Sequence, residues 1–186
     1  PHRSNDAYAY SKRMLEVHSK AYQDQYGDKF ICVIPTNIYG PHDNFSLEDG
    51  HVIPSLIHRC YLNKLNNEKF IVRGTGSPLR QFIFSTDLAK LIMWVLEDYD
   101  ELDTIILSVS EKNEITIKEV AELIAKEYNY EANIEFDTNY TDGQYKKTAD
   151  NSKLMHLLEN FPFTPIEDGI RESIKWFIRN NHNCRK

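Results

Sequence analysis

Cysteine is scarce and poorly placed for bridging. The three in 186 residues, Cys32, Cys60 and Cys184, lie far apart with no C-x-x-C pair. That spacing argues against a disulfide framework and against structural zinc, and fits reduced thiols in a cytoplasmic protein. No run approaches the roughly 18 apolar residues that a membrane-spanning helix needs, and the N-terminus has no apolar signal core. Glycine and proline number only seven each, which excludes collagen-like chain. Repeats, low-complexity tracts and obvious linkers are missing too. Positive charge is in deficit: 22 Lys+Arg stand against 28 Asp+Glu, a formal −6. A net acidic chain is a poor general nucleic-acid binder, although a local basic pocket for phosphates remains compatible. With 41% hydrophobic, 12% aromatic and 27% charged residues, this is an ordinary globular domain, or the larger part of a bigger one.

What is present alternates helix and strand. Asn5 or Asp6 caps an expected helix running to about Tyr26, with Gly27 as its stop. Its apolar positions (Ala7, Met14, Ala21, then Leu15, Tyr22, Tyr26) recur at helical spacing. Phe30 to Ile34 reads as a central parallel strand covered on both faces, and Pro35 to Gly50 as a polar loop. A helix follows with Ile53, Leu56, Ile57, Cys60 and Tyr61 in one stripe and Pro54 in its first turn. Lys69 to Arg73 and Gln81 to Phe84 are short strands around a turn at Gly74-Thr75-Gly76. Asp87 caps a helix to about Leu96, and Thr104 to Val109 is another strand. Thr116 with Glu119 forms a capping box for a helix carrying Ile117, Val120, Ala121, Ile124 and Tyr128. Ala132 to Phe136 is a strand, and Ser152 opens a short helix. Thr164 as N-cap, Pro165 at the first helical position and Glu167 start the last helix, whose stripe is Ile166, Ile170, Ile174, Phe177 and Ile178. Trp94 and Trp176 read as core. The class is α/β, with a sheet too small to look complete.

Several residues bear chemistry. Tyr8 and Lys12, four apart on one helix face, form a pair in which a nearby ammonium makes the phenol a proton donor or acceptor toward a carbonyl or alcohol oxygen. The alternative is an ordinary surface pair. Tyr10 lacks such a partner, since position 14 is Met. Pro35-Thr36-Asn37-Ile38-Tyr39-Gly40-Pro41 follows the apolar strand, where open α/β sheets bind ligands, yet it is also rich in turn formers. His51 stands just before a helix, fit for proton shuttling near neutral pH or simply a capping or solvated residue. His42, His58 and the other histidines show no metal-ligand spacing. Arg59, Arg73, Arg80, Lys146 and Lys147 are the phosphate-binding candidates. Gly74-Thr75-Gly76-Ser77-Pro78-Leu79 lacks the third glycine of the dinucleotide fingerprint and contains a proline, so it is a turn.

Taken together, these segments carry a family resemblance. Tyr8-x-x-x-Lys12 resembles the catalytic pair of the short-chain dehydrogenase/reductases. PTNIYGPHDNF (Pro35 to Phe45) and EDGHVIPSLIHR (Glu48 to Arg59) narrow it to the extended, nucleotide-sugar branch. With RGTGSPLRQFIFSTDLA (Arg73 to Ala89) and FDTNYTDGQYKKTADNSKL (Phe136 to Leu154), the whole chain is similar to the GDP-L-fucose synthase family. Those enzymes are NADPH-dependent and epimerise GDP-4-keto-6-deoxy-D-mannose at C3 and C5 before reducing C4.

The resemblance implies roles. Tyr8 protonates the C4 oxygen, and Lys12 supports it while touching the nicotinamide ribose of NADPH/NADP+. Pro35, Thr36, Asn37 and Ile38 line the nicotinamide end. His51 is the acid/base of epimerisation and adjoins the cofactor. Arg59, Arg80 and Asp142 bind the GDP-sugar, as does the position of Arg73, where many members carry Trp. The family's Gly-rich loop, active-site serine and cysteine precede its tyrosine, so the chain, which starts without Met, resembles the C-terminal part. Residues 1–40 then end a Rossmann-type, doubly wound NADP-binding domain. Residues 41–186 form mainly a smaller α/β substrate domain, with segments returning to the Rossmann sheet. A homodimer is implied, no metal, and an isolated piece without activity or tight NADPH binding. Two alternatives stand beside this: another extended family member acting on a different nucleotide sugar, or a non-catalytic binding or dimerisation module.

Overall fold

The computed structural model describes residues 6–186. Of the two expected first caps, Asn5 lies outside the described residues. Asp6 opens α1 (Asp6–Tyr26), its Oδ1 accepting from the Ala7 N–H at 2.7 Å. Gly27, in the left-handed region at φ 73°, closes it as expected. None of the α1 residues is buried. Its apolar spacing does mark a helix, but Met14, Leu15, Tyr22 and Tyr26 face outward. The helix is held instead by polar contacts: Glu16 Oε1 accepts from Thr104 Oγ1 at 3.1 Å, and Gln23 Nε2 donates to the Leu102 carbonyl at 3.2 Å.

Three strand pairs are parallel: β1 (Val33–Pro35) with β6 (Ile105–Leu107), β2 (Asn37–Tyr39) with β5 (Phe82–Phe84), and β3 (Phe70–Arg73) with β8 (Ile134–Asp137). The fourth, β4 (Leu79–Arg80) with β7 (Ile115–Thr116), is antiparallel. Around them lie α2 (Val52–Asn66), α3 (Ser85–Glu97), α4 (Ile117–Glu127), α5 (Ser152–Leu157) and α6 (Ile166–Asn180). The class is α/β, as the alternating pattern implied.

Two readings of the first strand region fail. β1 is not covered on both faces: Ile34 is 48% exposed, because β6 is its only strand neighbour among the described residues. The polar stretch after it is not all loop. β2 forms there because β5 supplies a parallel partner, and tertiary pairing overrides the turn propensity of Pro, Asn and Gly. The expected strand from Gln81 is in turn broken at that residue, between β4 and β5.

Helix starts show where local and tertiary demands compete. Thr116 and Glu119 make the capping box reciprocally, with Glu119 N to Thr116 Oγ1 at 3.1 Å and Thr116 N to Glu119 Oε2 at 2.8 Å. The hydrogen bonds from Thr116 hold the Glu119 carboxyl below the usual carboxylate range, so this contribution is present above that range and is lost as the pH falls through it. Asp87 does not cap α3; Phe84 is the N-cap. The buried Asp87 carboxylate accepts from Thr164 N at 2.6 Å and Thr164 Oγ1 at 3.1 Å. Thr164 is thereby spent on Asp87, and α6 begins one residue later than expected, from Pro165 as N-cap.

The side chains sort into two cores. One packs α2, α4 and α6 around Phe45, Ile57, Phe70, Ile124 and Phe177. The other packs α3 and α5 on Ile83, Leu91, Ile105 and Leu107. Trp94 and Trp176 are half-buried at their edges. Ile170, Ile174 and Phe177 of the α6 stripe are buried, whereas Ile178 is exposed, a small overshoot of the apolar face. Among the described residues no helix is long and apolar enough to cross a membrane.

Gly169, inside α6, meets the fully buried Tyr39. A Cβ there would lie 2.1 Å from the phenolic oxygen and 2.8 Å from Cζ. Alanine gains about 1 kcal/mol of helix propensity over glycine, but overpacking a core costs about 1–3 kcal/mol. Gly169→Ala is therefore expected to lower stability to urea, and Tyr39→Phe in the same chain to return part of the loss. An unchanged or raised midpoint for Gly169→Ala contradicts this packing.

Candidate functional site

Three of the arginines singled out by sequence converge. A cavity of about 390 Å³ is lined by Arg59 from α2, Arg73 from the end of β3 and Arg80 from β4, with Asp142 and Gly143 from the loop after β8. Glu48, Gly50 and Val52 also line it, the last two flanking His51, whose own side chain is not part of the lining. A larger groove of about 710 Å³ beside α4 is lined by Glu119, Glu122, Glu131 and Glu167 with two lysines, the wrong sign for a phosphate.

The fold holds these arginines in different ways. Arg59 is half-buried, its guanidinium reaching the carbonyls of Ile71 at 3.4 Å and Leu47 at 3.5 Å. Burial, then the charge of Arg73, lowers its pKa. Arginine stays protonated all the same, so the site stores repulsion that an anion relieves. Arg73 lies over the Tyr140 ring, 4.8 Å from its centroid, a cation–π contact. Arg80 donates to its neighbour's carbonyl at Leu79, 2.7 Å away. Lys146, by contrast, is committed to Glu111 at 2.6 Å and Glu114 at 3.3 Å, which removes it as a free phosphate binder.

Asp142 does not neutralise the arginines. Its Oδ1 accepts from Thr75 N at 2.9 Å and its Oδ2 from Thr75 Oγ1 at 2.6 Å. The carboxylate latches the loop bearing Tyr140 onto the turn after β3. Gly74 makes the latch possible: its φ is 87°, and a Cβ would lie 2.3 Å from Asp142 Oδ1, so only glycine fits.

The other candidates sit elsewhere. Lys12 Nζ lies over the Tyr8 ring at 5.5 Å from its centroid, which brings the pair together on the open face of α1, with Tyr8 69% exposed; neither lines the arginine cavity. Thr36, between β1 and β2, has a buried hydroxyl with no partner among the described residues, and Ile38 is exposed. Asn37 already donates its side-chain amide to the Gln81 carbonyl at 2.8 Å, so part of its hydrogen-bonding capacity is structural. An orphaned hydroxyl and an exposed Tyr–Lys pair suit the nicotinamide end of a dinucleotide. His51 is the N-cap residue of α2 by position, but its side chain makes no cap bond, which removes the capping alternative. Its Nδ1 lies 3.7 Å from Asp43 Oδ1 instead.

Asp43, Tyr140, Thr75 and Gln81 were missed. Asp43 and Tyr140 sit in loops where no periodicity marks a residue. Thr75 and Gln81 act through contacts far along the chain that no local signal announces.

The comparisons with known proteins fall on this geometry. The chain is 54% identical over its whole length to the GDP-L-fucose synthase of Dictyostelium discoideum, spanning 58% of that protein. It is 47% identical to the probable GDP-L-fucose synthase of Drosophila melanogaster, of which it spans 60%. The crystal structure of a GDP-L-fucose synthetase from Naegleria fowleri superposes on all of this chain with a TM-score of 0.96 at 44% identity, the chain covering 59% of it. The same Naegleria enzyme bound to NADP superposes with a TM-score of 0.96, the chain covering 57% of it. The chain thus spans under two thirds of the relatives it matches. The model of the NAD dependent epimerase/dehydratase family matches residues 1–109, a stretch that holds the Tyr–Lys pair, Thr36, His51 and all three cavity arginines. With the parallel strand pairs and a matching fold, that places the chain in the NAD dependent epimerase/dehydratase family.

Proposed function

We propose that the intact protein converts GDP-4-keto-6-deoxy-D-mannose to GDP-L-fucose by epimerisation at C3 and C5 and reduction at C4. The observation that carries this reading is the cavity of Arg59, Arg73 and Arg80, lined also by Gly50 and Val52 on either side of His51. Among the described residues no carboxylate lies within ion-pair distance of the three guanidiniums, although Glu48 and Asp142 line the same cavity. Such a wall suits a diphosphate, since arginine matches phosphate oxygens in bidentate fashion. The identity to relatives named for this activity supports the same substrate.

Each residue then has a task. The 4-ketone acidifies the hydrogens on the adjacent carbons, because the enolate left behind delocalises onto oxygen. His51 removes and returns those protons. Tyr8 delivers a proton to the C4 oxygen, and Lys12 keeps that phenol oriented. A bound NADPH supplies the hydride that C4 accepts. Thr36, with Pro35, Asn37 and Ile38 around it, holds the nicotinamide end, and Lys12 and His51 adjoin it. Arg59, Arg80 and Arg73 hold the diphosphate, while Asp142 acts from behind by fixing the turn between Arg73 and Arg80.

On this reading residues 1–40 belong to the cofactor domain and 41–186 mainly to the substrate domain, with β6 returning to the first. The open apolar face of α1, with Met14, Leu15 and Tyr22 outward, suits a homodimer contact. Three free cysteines among the described residues accord with a cytoplasmic location.

In the intact protein, Tyr8→Phe is expected to slow C4 reduction by about 100-fold or more while solvent deuterium still enters C3 and C5. His51→Gln is expected to do the reverse, and equal loss of both steps in either variant refutes the division of roles. Arg59→Ala is expected to raise KM for the GDP-sugar roughly 10- to 100-fold, as loss of a charged hydrogen bond does, with a much smaller change in kcat. An unchanged KM contradicts the assignment of the cavity.

A further inference from the structure

Asp43 is placed with more care than a surface loop residue needs. Its carboxylate is only 17% exposed, whereas the His51 side chain facing it is 79% exposed. The loop around it is anchored on both sides. His42 takes a left-handed backbone, φ 68°, with its ring 4.5 Å from Trp176. Phe45 is fully buried, stacked on Trp176 and Phe177 at 5.7 and 4.7 Å. The Phe45 N–H donates to the Arg185 carbonyl at 2.9 Å, and its own carbonyl meets His58 Nδ1 at 2.7 Å. Asp43 Oδ1 also accepts from the Asn44 N–H at 2.7 Å. The carboxylate is therefore part of the frame, and the imidazole is the more exposed member of the pair.

The atom facing Asp43 is Nδ1, 3.7 Å from Oδ1. Among the described residues His51 is the only cationic side chain within ion-pair distance of that carboxylate. A neutral imidazole has one N–H and one lone pair, and the partner of one nitrogen decides which is which. An unconstrained ring favours the proton on Nε2. A carboxylate opposite Nδ1 reverses that preference, since it accepts and cannot donate. Contacts of this kind are often long before substrate arrives and tighten in the complex.

We propose that Asp43 is a positioning residue that holds the His51 proton on Nδ1, leaving the Nε2 lone pair outward as the atom that takes protons from the sugar. The proposal rests on the proton-transfer role given to His51 above. It adds a residue to that step and fixes which ring nitrogen reacts.

The test is made on the intact protein labelled with 15N-histidine, reading ring nitrogen shifts at a pH where His51 is neutral. His51 is expected in the Nδ1–H form. Asp43 Oδ1 serves both the Asn44 N–H and the ring, so Asp43→Ala removes the acceptor altogether, and Asp43→Ser keeps an acceptor for the Asn44 N–H while falling short of the ring. Both are expected to switch His51 to Nε2–H and to slow deuterium entry at C3 and C5 by roughly tenfold or more, with KM for the GDP-sugar unchanged. An Nε2–H form in the unaltered protein, or Nδ1–H persisting in both variants, overturns the proposal. So does a switched tautomer with exchange at the normal rate. Normal exchange in His51→Gln is a different failure: it removes the role of His51 and leaves the tautomer result standing.

Discussion

A single buried amide holds the two halves of the molecule in register. Gln81 is fully buried. Its Nε2 donates to the Val109 carbonyl at 2.8 Å and to the Ala149 carbonyl at 3.1 Å, and its Oε1 accepts from the Ala149 N–H at 2.7 Å. Its own backbone carbonyl receives the Asn37 amide. Both ends of the side chain are satisfied, so burial carries no orphan penalty, while removing either end would strand buried partners. The break it makes separates β4, which carries Arg80 to the cavity, from β5, which pairs with the strand following Thr36. The same residue thus joins the segment proposed for the cofactor to the segment proposed for the sugar nucleotide.

The two parts of the site are built to different standards. The arginine cavity is tied to the fold by side-chain contacts, with Arg59 half-buried, Arg73 on Tyr140 and Asp142 latched to Thr75. The Tyr8–Lys12 pair stands on a helix with no buried residue, attached through Glu16, Ser19 and Gln23 rather than through its apolar positions. Electrostatics separates them as well. The cavity concentrates positive charge within a chain of formal −6, so attraction for an anion is local to that wall. Arg73, held over Tyr140 at 4.8 Å from the ring centroid, adds a further charge to that wall.

Much of this was legible in the sequence. The capping box and the α2 stripe are legible from spacing alone, because each is a local pattern. The Tyr8–Lys12 pair and the arginines stand out as candidates from residue type and spacing, and three of the arginines do share one cavity. What was not legible depended on partners distant in sequence. β2 exists because β5 lies beside it, Thr164 caps nothing because Asp87 claims it, and Lys146 is occupied by Glu111 and Glu114. Asp142 reads as a substrate contact by motif, yet its carboxylate is turned to Thr75. Asp43 carried no signal, being an acidic residue in a polar loop until the fold set it opposite His51.

The central claim is that the wall of Arg59, Arg73 and Arg80 receives the diphosphate of a GDP-sugar. Hydrogen-exchange mass spectrometry of the intact protein, with and without saturating GDP, tests it most directly. The account predicts slowed exchange in the segment from Arg73 to Arg80 and in the loop from Tyr140 to Gly143, weakening as salt is raised because the attraction is ionic. Protection confined to the acidic groove beside α4, or no protection at saturation, would contradict it.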